Sequence, residues 1–203
     1  LDTVLHSTST WSLLAVFHVE IFLSSVLFRI FVNAGYIRIL DQDILEVFNG
    51  GYGREISLRI NQERNNFLCT TNRFTNFDLK LRIKLSGTKG FINSGIQFRS
   101  ERVRDSHEVA GYQADFGAGH DGALYDESRR KKFLARPPES FLEGDSQEDE
   151  WHDYRIRARG NHIELWVDGI QTVDYTEVES GLPSDGIIGL QIHGNGVAEV
   201  RFK

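Results

Sequence analysis

The sequence predicts an all-β domain, on three observations. From about Gly35 onward, short runs alternate apolar and polar residues, the period-two mark of strands that bury one face. Turn-forming residues punctuate these runs, and no helical period is sustained for more than a few turns. An Asp168-Gly169 pair stands between two alternating runs. Asp-Gly is the strongest short-range hairpin signal, because a type I′ turn needs positive φ at both central positions.

Taken in order, residues 11–32 (WSLLAVFHVEIFLSSVLFRIFV) are apolar over a length that spans a bilayer, and any membrane contact is expected here. Glu20 and Arg29 would each cost about 2.5 to 3.5 kcal/mol at a membrane centre. Two buried strands broken near Ser24 and Ser25 give the same pattern. With no methionine at position 1, a removed leader is a further expectation. The boundary is therefore drawn at 46/47: residues 1–46 form an apolar segment, either strands or a leader or anchor, and residues 47–203 form the domain.

Cys69, the only cysteine, excludes an intrachain disulfide and reads as a small buried hydrophobe. In FDLKLRIKL, Phe77, Leu79, Leu81, Ile83 and Leu85 face a core, and Asp78, Lys80, Arg82 and Lys84 face solvent. Residues 117–150 are polar and irregular, contain Pro137-Pro138 and the acidic run EGDSQEDE, and read as a long loop. A meander follows: Tyr154 to Arg159, a turn at Gly160-Asn161, His162 to Val167, the Asp-Gly turn, and Ile170 to Tyr175. Trp151, Tyr154 and Trp166 read as core or rim packing, Trp166 beside Glu164 on the outer face of its strand.

Three strands differ from the rest in what they set opposite the core. NSGIQFRS pairs Ile96 and Phe98 inside with Gln97 and Arg99 outside. GYQADFG sets Gln113 and Asp115 against Tyr112, Ala114 and Phe116. GIIGLQIHGNG sets Gln191 and His193 against Ile188, Leu190 and Ile192. Amides, a carboxylate, a guanidinium and an imidazole in one phase suit a neutral, hydroxyl-rich ligand, which needs paired donors and acceptors more than net charge. A carbohydrate partner is the expectation. A formal net charge of −6, with arginines interleaved with acids, gives no field for a phosphate backbone, so nucleic acid is not expected. GxSxG, HExxH, P-loop and dinucleotide fingerprints are all missing.

Five segments in order, NSGIQFR, GYQADFG, GALYDESRR, WHDYRIRARGNHIELWVDGIQTVDYTE and GIIGLQIHGNGVAEVRF, resemble the 3-keto-disaccharide hydrolase domain family, formerly domain of unknown function 1080. The resemblance runs from about Phe67 to Lys203, and VFNGG at 47–51 is similar to the family's opening motif. The tryptophan-containing strand usual before NNFLCTT has no counterpart. The resemblance implies a concanavalin A-like jelly-roll sandwich of two antiparallel sheets with a concave sugar-facing side, in bacterial proteins often exported to the periplasm or beyond. It also implies hydrolysis of glycosides oxidised at C3.

A ketone at C3 acidifies the C2 proton. A base removes it, the enolate expels the C1 substituent, and water adds back. The route needs a base near neutral pKa and a donor at the developing oxyanion. His193, Asp115 and Glu127 are the catalytic candidates, His193 first by intrinsic pKa. Gln97, Arg99, Gln113, Tyr125 and Gln191 are the substrate-binding candidates. A divalent metal held by Asp115, Glu127 and His193 would do the same work as a Lewis acid. Residues 117–135 are expected to fold over the face as a lid carrying Tyr125 and Glu127, with His120 as turn surface. The alternative is a carbohydrate-binding module without catalysis.

Overall fold

The computed structural model describes residues 37–39, 45–47, 56–142 and 149–203. Strands β1 (Ile37–Ile39) and β2 (Leu45–Val47) form an antiparallel pair. The remaining strands are β3 (Ile56–Gln62), β4 (Asn66–Cys69), β5 (Phe77–Gly90), β6 (Asn93–Arg102), β7 (Val109–Gly117), β8 (Leu124–Glu127) and β9 (Lys132–Ala135), followed after a short helix α1 (Glu139–Leu142) by β10 (His152–Arg159), β11 (His162–Val167), β12 (Ile170–Thr176), β13 (Ile187–Ile192) and β14 (Gly196–Phe202). They build two six-stranded antiparallel sheets, ordered β12-β11-β10-β5-β14-β3 and β4-β13-β6-β7-β8-β9. This is the jelly-roll sandwich.

The alternation in FDLKLRIKL fixes β5 in the first sheet. Phe77, Leu79, Ile83 and Leu85 are buried against the second sheet, and Leu81 packs beside them. Across the interface stand Ile96, Phe98, Tyr112, Ala114 and Ile192. Phe77 meets Phe98 edge-on at 5.8 Å, and Phe98 stacks on Tyr112 at 5.6 Å. The outer face of β5 is less simply solvated than its sequence implies: Asp78 is buried and gripped by Arg155. Arg155 and Arg157 in turn flank Trp166, which therefore packs on that outer face as expected. The Asp-Gly turn joins β11 to β12 with φ of 50° at Asp168 and 80° at Gly169.

Two expectations change. Residues 117–135 are no lid or irregular loop; β8 and β9 extend the second sheet, so Tyr125 and Glu127 come from the sheet itself. The alternation was disguised because Asp126, on the core-facing side with Leu124, is fully buried and held by Arg129 and Arg130. The second change is at Arg99. The β6–β7 register shifts between Phe98 and Glu101, and Arg99 adopts φ of 45°. The bulge turns its side chain away from Gln97. Its guanidinium donates to Thr75 O (2.9 and 2.7 Å), Gly160 O (2.7 Å) and Asn76 Oδ1 (3.4 Å), tying the second sheet to the β10–β11 turn of the first. Replacing Arg99 by alanine is expected to cost about 1.5 to 3 kcal/mol in urea unfolding, the scale of hydrogen bonds to a charged donor. A loss below about 0.5 kcal/mol would remove this anchoring role.

Residues 11–32, and with them the question of a membrane segment, lie outside the described residues, as does most of the acidic run. Among the described residues no helix is long and apolar enough to cross a membrane.

Candidate active site

Strand register places the candidates on one face of the second sheet. One transverse row reads Cys69, Gly189, Gln97, Gln113, Tyr125, Phe133, one residue from each strand. The neighbouring row on the same face reads Phe67, Gln191, Gly95, Asp115. His193 follows Gln191 by two, and its amide donates to Asn93 O at 3.0 Å, so it ends the face beside Asn93. Five of the six residues that alternation assigned to this face are therefore on it, Arg99 being the exception. Cys69, half-buried at the end of its row, is less enclosed than its sequence reading suggested.

The face is concave. In flat strands Glu108, nine residues before Gly117, would stand about 30 Å from the His193 end at roughly 3.3 Å per residue. Instead Asn65, next to that end, donates to Glu108 at 3.4 Å, and Arg102 reaches Phe67 O at 3.4 Å. Beyond the Arg99 bulge the sheet curls until its two ends meet over the same face. The curl accounts for the burial of the amides, with Gln97 and Gln191 at 0% exposure and Gln113 at 2%.

These amides form a floor whose groups serve one another. Gln97 Nε2 donates to Gln113 Oε1, and Gln113 Nε2 donates to Gln191 Oε1 at 3.0 Å and to Asp115 Oδ1 at 3.4 Å. Ser100 Oγ donates to Gln97 Oε1 at 3.2 Å. Gly95 is required beside them: a Cβ there would lie 2.8 Å from Gln113 Nε2 and 2.9 Å from Ala114 O. One donor is left over, since Gln191 Nε2 is buried with no hydrogen-bond partner among the described residues.

Asp115 occupies the centre at 4% exposure. Its Oδ1 accepts from Asn93 Nδ2 (2.8 Å), from the Phe116 amide (3.0 Å) and from Gln113. No described residue donates to Oδ2. From the core side, Tyr154 donates its hydroxyl to Asp115 O at 3.1 Å and fixes the backbone. Burial pushes the carboxyl up to about 7 against the lowering effect of those hydrogen bonds, with the Asp121 charge adding to the rise. Glu127 is likewise raised by burial and by the Glu108 carboxylate, against the lowering effects of the Ser128 hydrogen bonds and the His193 charge. His193 Nδ1 lies 2.7 Å from Gly194 O, a contact in which the ring nitrogen donates to the carbonyl. The ring packs edge-on against Phe91 at 4.7 Å.

Asp115, Glu127 and His193 do not converge as a ligand set. Among the described residues, the group of three whose ligand atoms lie within 4.8 Å of one another is His162, Glu164 and Asp174, on the first sheet. Glu164 there is already bound by Arg157 at 2.5 and 2.6 Å. A hollow of about 720 Å³ lined by Arg59, Ser86, Asp149 and Glu199 lies on the first sheet, away from the polar face; its Glu199 carboxylate is taken by Ser57, Arg59 and Arg201, and its Asp149 carboxylate by Lys84.

Residues 35–203 match the model of the 3-keto-α-glucoside-1,2-lyase-like domain. The chain belongs to this family. The 3-keto-α-glucoside-1,2-lyase-like match begins upstream of the boundary drawn at 47 and takes in β1 and β2. No curated protein matches the chain in sequence. Among solved structures it resembles the carbohydrate-binding module CBM66 from Bacillus subtilis, with a TM-score of 0.56 and 16% identity over 70% of this chain and 81% of that one. Similar at lower TM-scores are a Parabacteroides distasonis protein provisionally assigned as a glycosyl hydrolase (0.48, 16% identity, 73% and 79% covered) and the β-glucanase of Bacillus licheniformis (0.42, 14%, 67% of each). Within the 3-keto-α-glucoside-1,2-lyase-like domain, sequence reasoning passed over Asn93, Glu108 and Phe133. Asn93 shares the phase of Gly95 and Gln97 and was readable from it. Glu108 reaches the site only through the curl, which leaves no local signal.

Proposed function

We propose that the protein cleaves 3-keto-glycosides by elimination across C1–C2 followed by hydration. The observation that carries this reading is Asp115: a carboxyl near pKa 7, enclosed by neutral amides, with Oδ1 fixed by three donors and Oδ2 taking none from the described residues. A base poised near neutral pH is what removal of a proton next to a ketone requires. Asp115 Oδ2 takes the C2 proton, and the C2 electron pair passes into an enolate on the C3 oxygen. Gln191 Nε2, the spare buried donor, stabilises that oxygen. Collapse of the enolate forms the C1=C2 bond and expels the C1 oxygen, which takes a proton from Glu127, the carboxyl held above its ordinary pKa. Water then adds at C1, and C2 regains a proton, giving net hydrolysis. His193, its ring held by the Nδ1 contact with Gly194 O, accepts the proton of that water. No step is routed through a metal, because the three proposed ligands do not converge.

The half-exposed rings of Tyr125 and Phe133 beside the amide floor favour a second reading, a carbohydrate-binding module without turnover. The two readings part on product release. Wild-type protein incubated with a panel of 3-keto-glucosides, with and without chelator, is expected to release aglycone; binding without release under every condition would leave the binding module. His193→Gln is expected to keep sugar affinity and lower turnover by roughly 10²-fold. A His193→Gln protein as active as wild type would take His193 out of the mechanism.

A further inference from the structure

We propose that the β8–β9 edge of the concave face is a stacking subsite for a second ring of the ligand, the ring beyond the glycosidic bond, built by Tyr125, Phe133, His120 and Arg136. This rests on the carbohydrate reading of the face and specifies which part of the ligand lies where. The transverse row changes character within one strand step: Gln97 and Gln113 are amides, while Tyr125 and Phe133, in register with them, are aromatic. Strands lie about 4.8 Å apart, so Tyr125 stands one strand spacing from Gln113 and Phe133 two, roughly 10 Å away, which puts both rings beside the amide floor and within reach of a ligand longer than one ring.

Apolar side chains at the margin of a sandwich ordinarily turn inward, as Leu124 does here. Tyr125 and Phe133 turn to the polar face and stay half-exposed. Their rings meet edge-on at 4.9 Å. His120, from the β7–β8 turn, sets its ring 4.9 Å from Phe133, and the Arg136 guanidinium lies 3.7 Å over it. His120 is thus part of an aromatic cluster rather than turn surface. Its Nδ1 is buried with no hydrogen-bond partner among the described residues. Aromatic faces and a planar guanidinium offer what a ring with an apolar face and a polar rim needs: dispersion and polarised C–H contact across the face, and forked N–H donors at the edge. A pyranose and an aryl aglycone share that chemistry.

Calorimetric titration of the full chain with unoxidised methyl glucoside, a glucosyl-glucose disaccharide and phenyl glucoside tests this without requiring turnover. Wild type is expected to bind at least one of the two-ring ligands 10-fold or more tightly than methyl glucoside. A gain confined to phenyl glucoside identifies an aryl partner, and a gain for the disaccharide a sugar. Phe133→Ala is expected to abolish that gain and leave methyl glucoside affinity within twofold. Phe133→Leu, which keeps an apolar plug, should fold even where alanine does not and lose the same gain. Equal affinity of wild type for all three ligands, binding of none of them, or equal weakening of all three in Phe133→Leu would overturn the subsite. Ring-dependent binding with no release from any 3-keto-glycoside would instead overturn the proposed reaction and leave the subsite standing.

Discussion

Asp115→Asn protein is expected to fold normally and to release aglycone from 3-keto-glucosides about 10³-fold more slowly than wild type, within the 10²- to 10⁴-fold range of general acid/base residues. Asparagine keeps an oxygen for the Asn93 and Phe116 donors and loses only the proton-accepting function. Because the base must be ionised, wild-type kcat/KM should rise with pH through about 7, and that limb should vanish in the variant. Stability carries the opposite signature. The folded state holds a proton on Asp115 between its ordinary value of 3.8 and about 7, so the contribution is complete below the former and lost as pH rises through the latter. Above pH 7 the variant should be the more stable by up to about 4 kcal/mol, since each pH interval of one between those two values is worth about 1.4 kcal/mol. A pH–rate profile without a limb near 7, or full activity in the variant, would remove Asp115 as the base.

Asp126→Ala is expected to cost about 3 to 5 kcal/mol, the scale for removing one partner of a buried ion pair. Asp126 is fully buried and faces both Arg129 and Arg130. Arg130 continues to Glu177 at 2.6 Å and Glu179 at 3.0 Å, and Tyr112 donates to Glu177 at 2.9 Å. Burial alone would raise Glu177; Arg130 above all, with the Glu179 amide and the Tyr112 hydroxyl, holds it down at about 2. Alanine would strand the Arg129 guanidinium under the β8–β9 hairpin and leave Arg130 to Glu177 and Glu179. Urea unfolding at neutral pH measures the loss, and a value under about 1 kcal/mol would mean that solvent reaches the arginines in place of the carboxylate.

Those two aspartates mark what was legible in the sequence. Asp115 was found because its strand alternates cleanly: Tyr112, Ala114 and Phe116 occupy the core phase and leave Gln113 and Asp115 opposite. The same reasoning put Gln97, Gln191 and His193 on that face. It failed at β8, where the inward position carries a carboxylate neutralised by arginines three and four residues later, so polarity no longer reports direction. At Arg99 it failed differently. A bulge resets the phase, and nothing in QFRSE announces one. The amides were read as ligand contacts; the curl of the sheet buries them as a floor whose groups bond one another, and only Gln191 Nε2 among them keeps a buried donor without a partner among the described residues.

The grip of Arg99 on Thr75 and Gly160 makes the β10–β11 turn a tensioner for a face it never touches. The turn is itself braced, since Asn76 Oδ1 accepts from the Gly160 amide at 2.9 Å and from Arg99. One surface turn on the far sheet thus sets how firmly the bulged end of β6 is held, and a change in that turn would reach the second sheet through a single guanidinium rather than through the packed core.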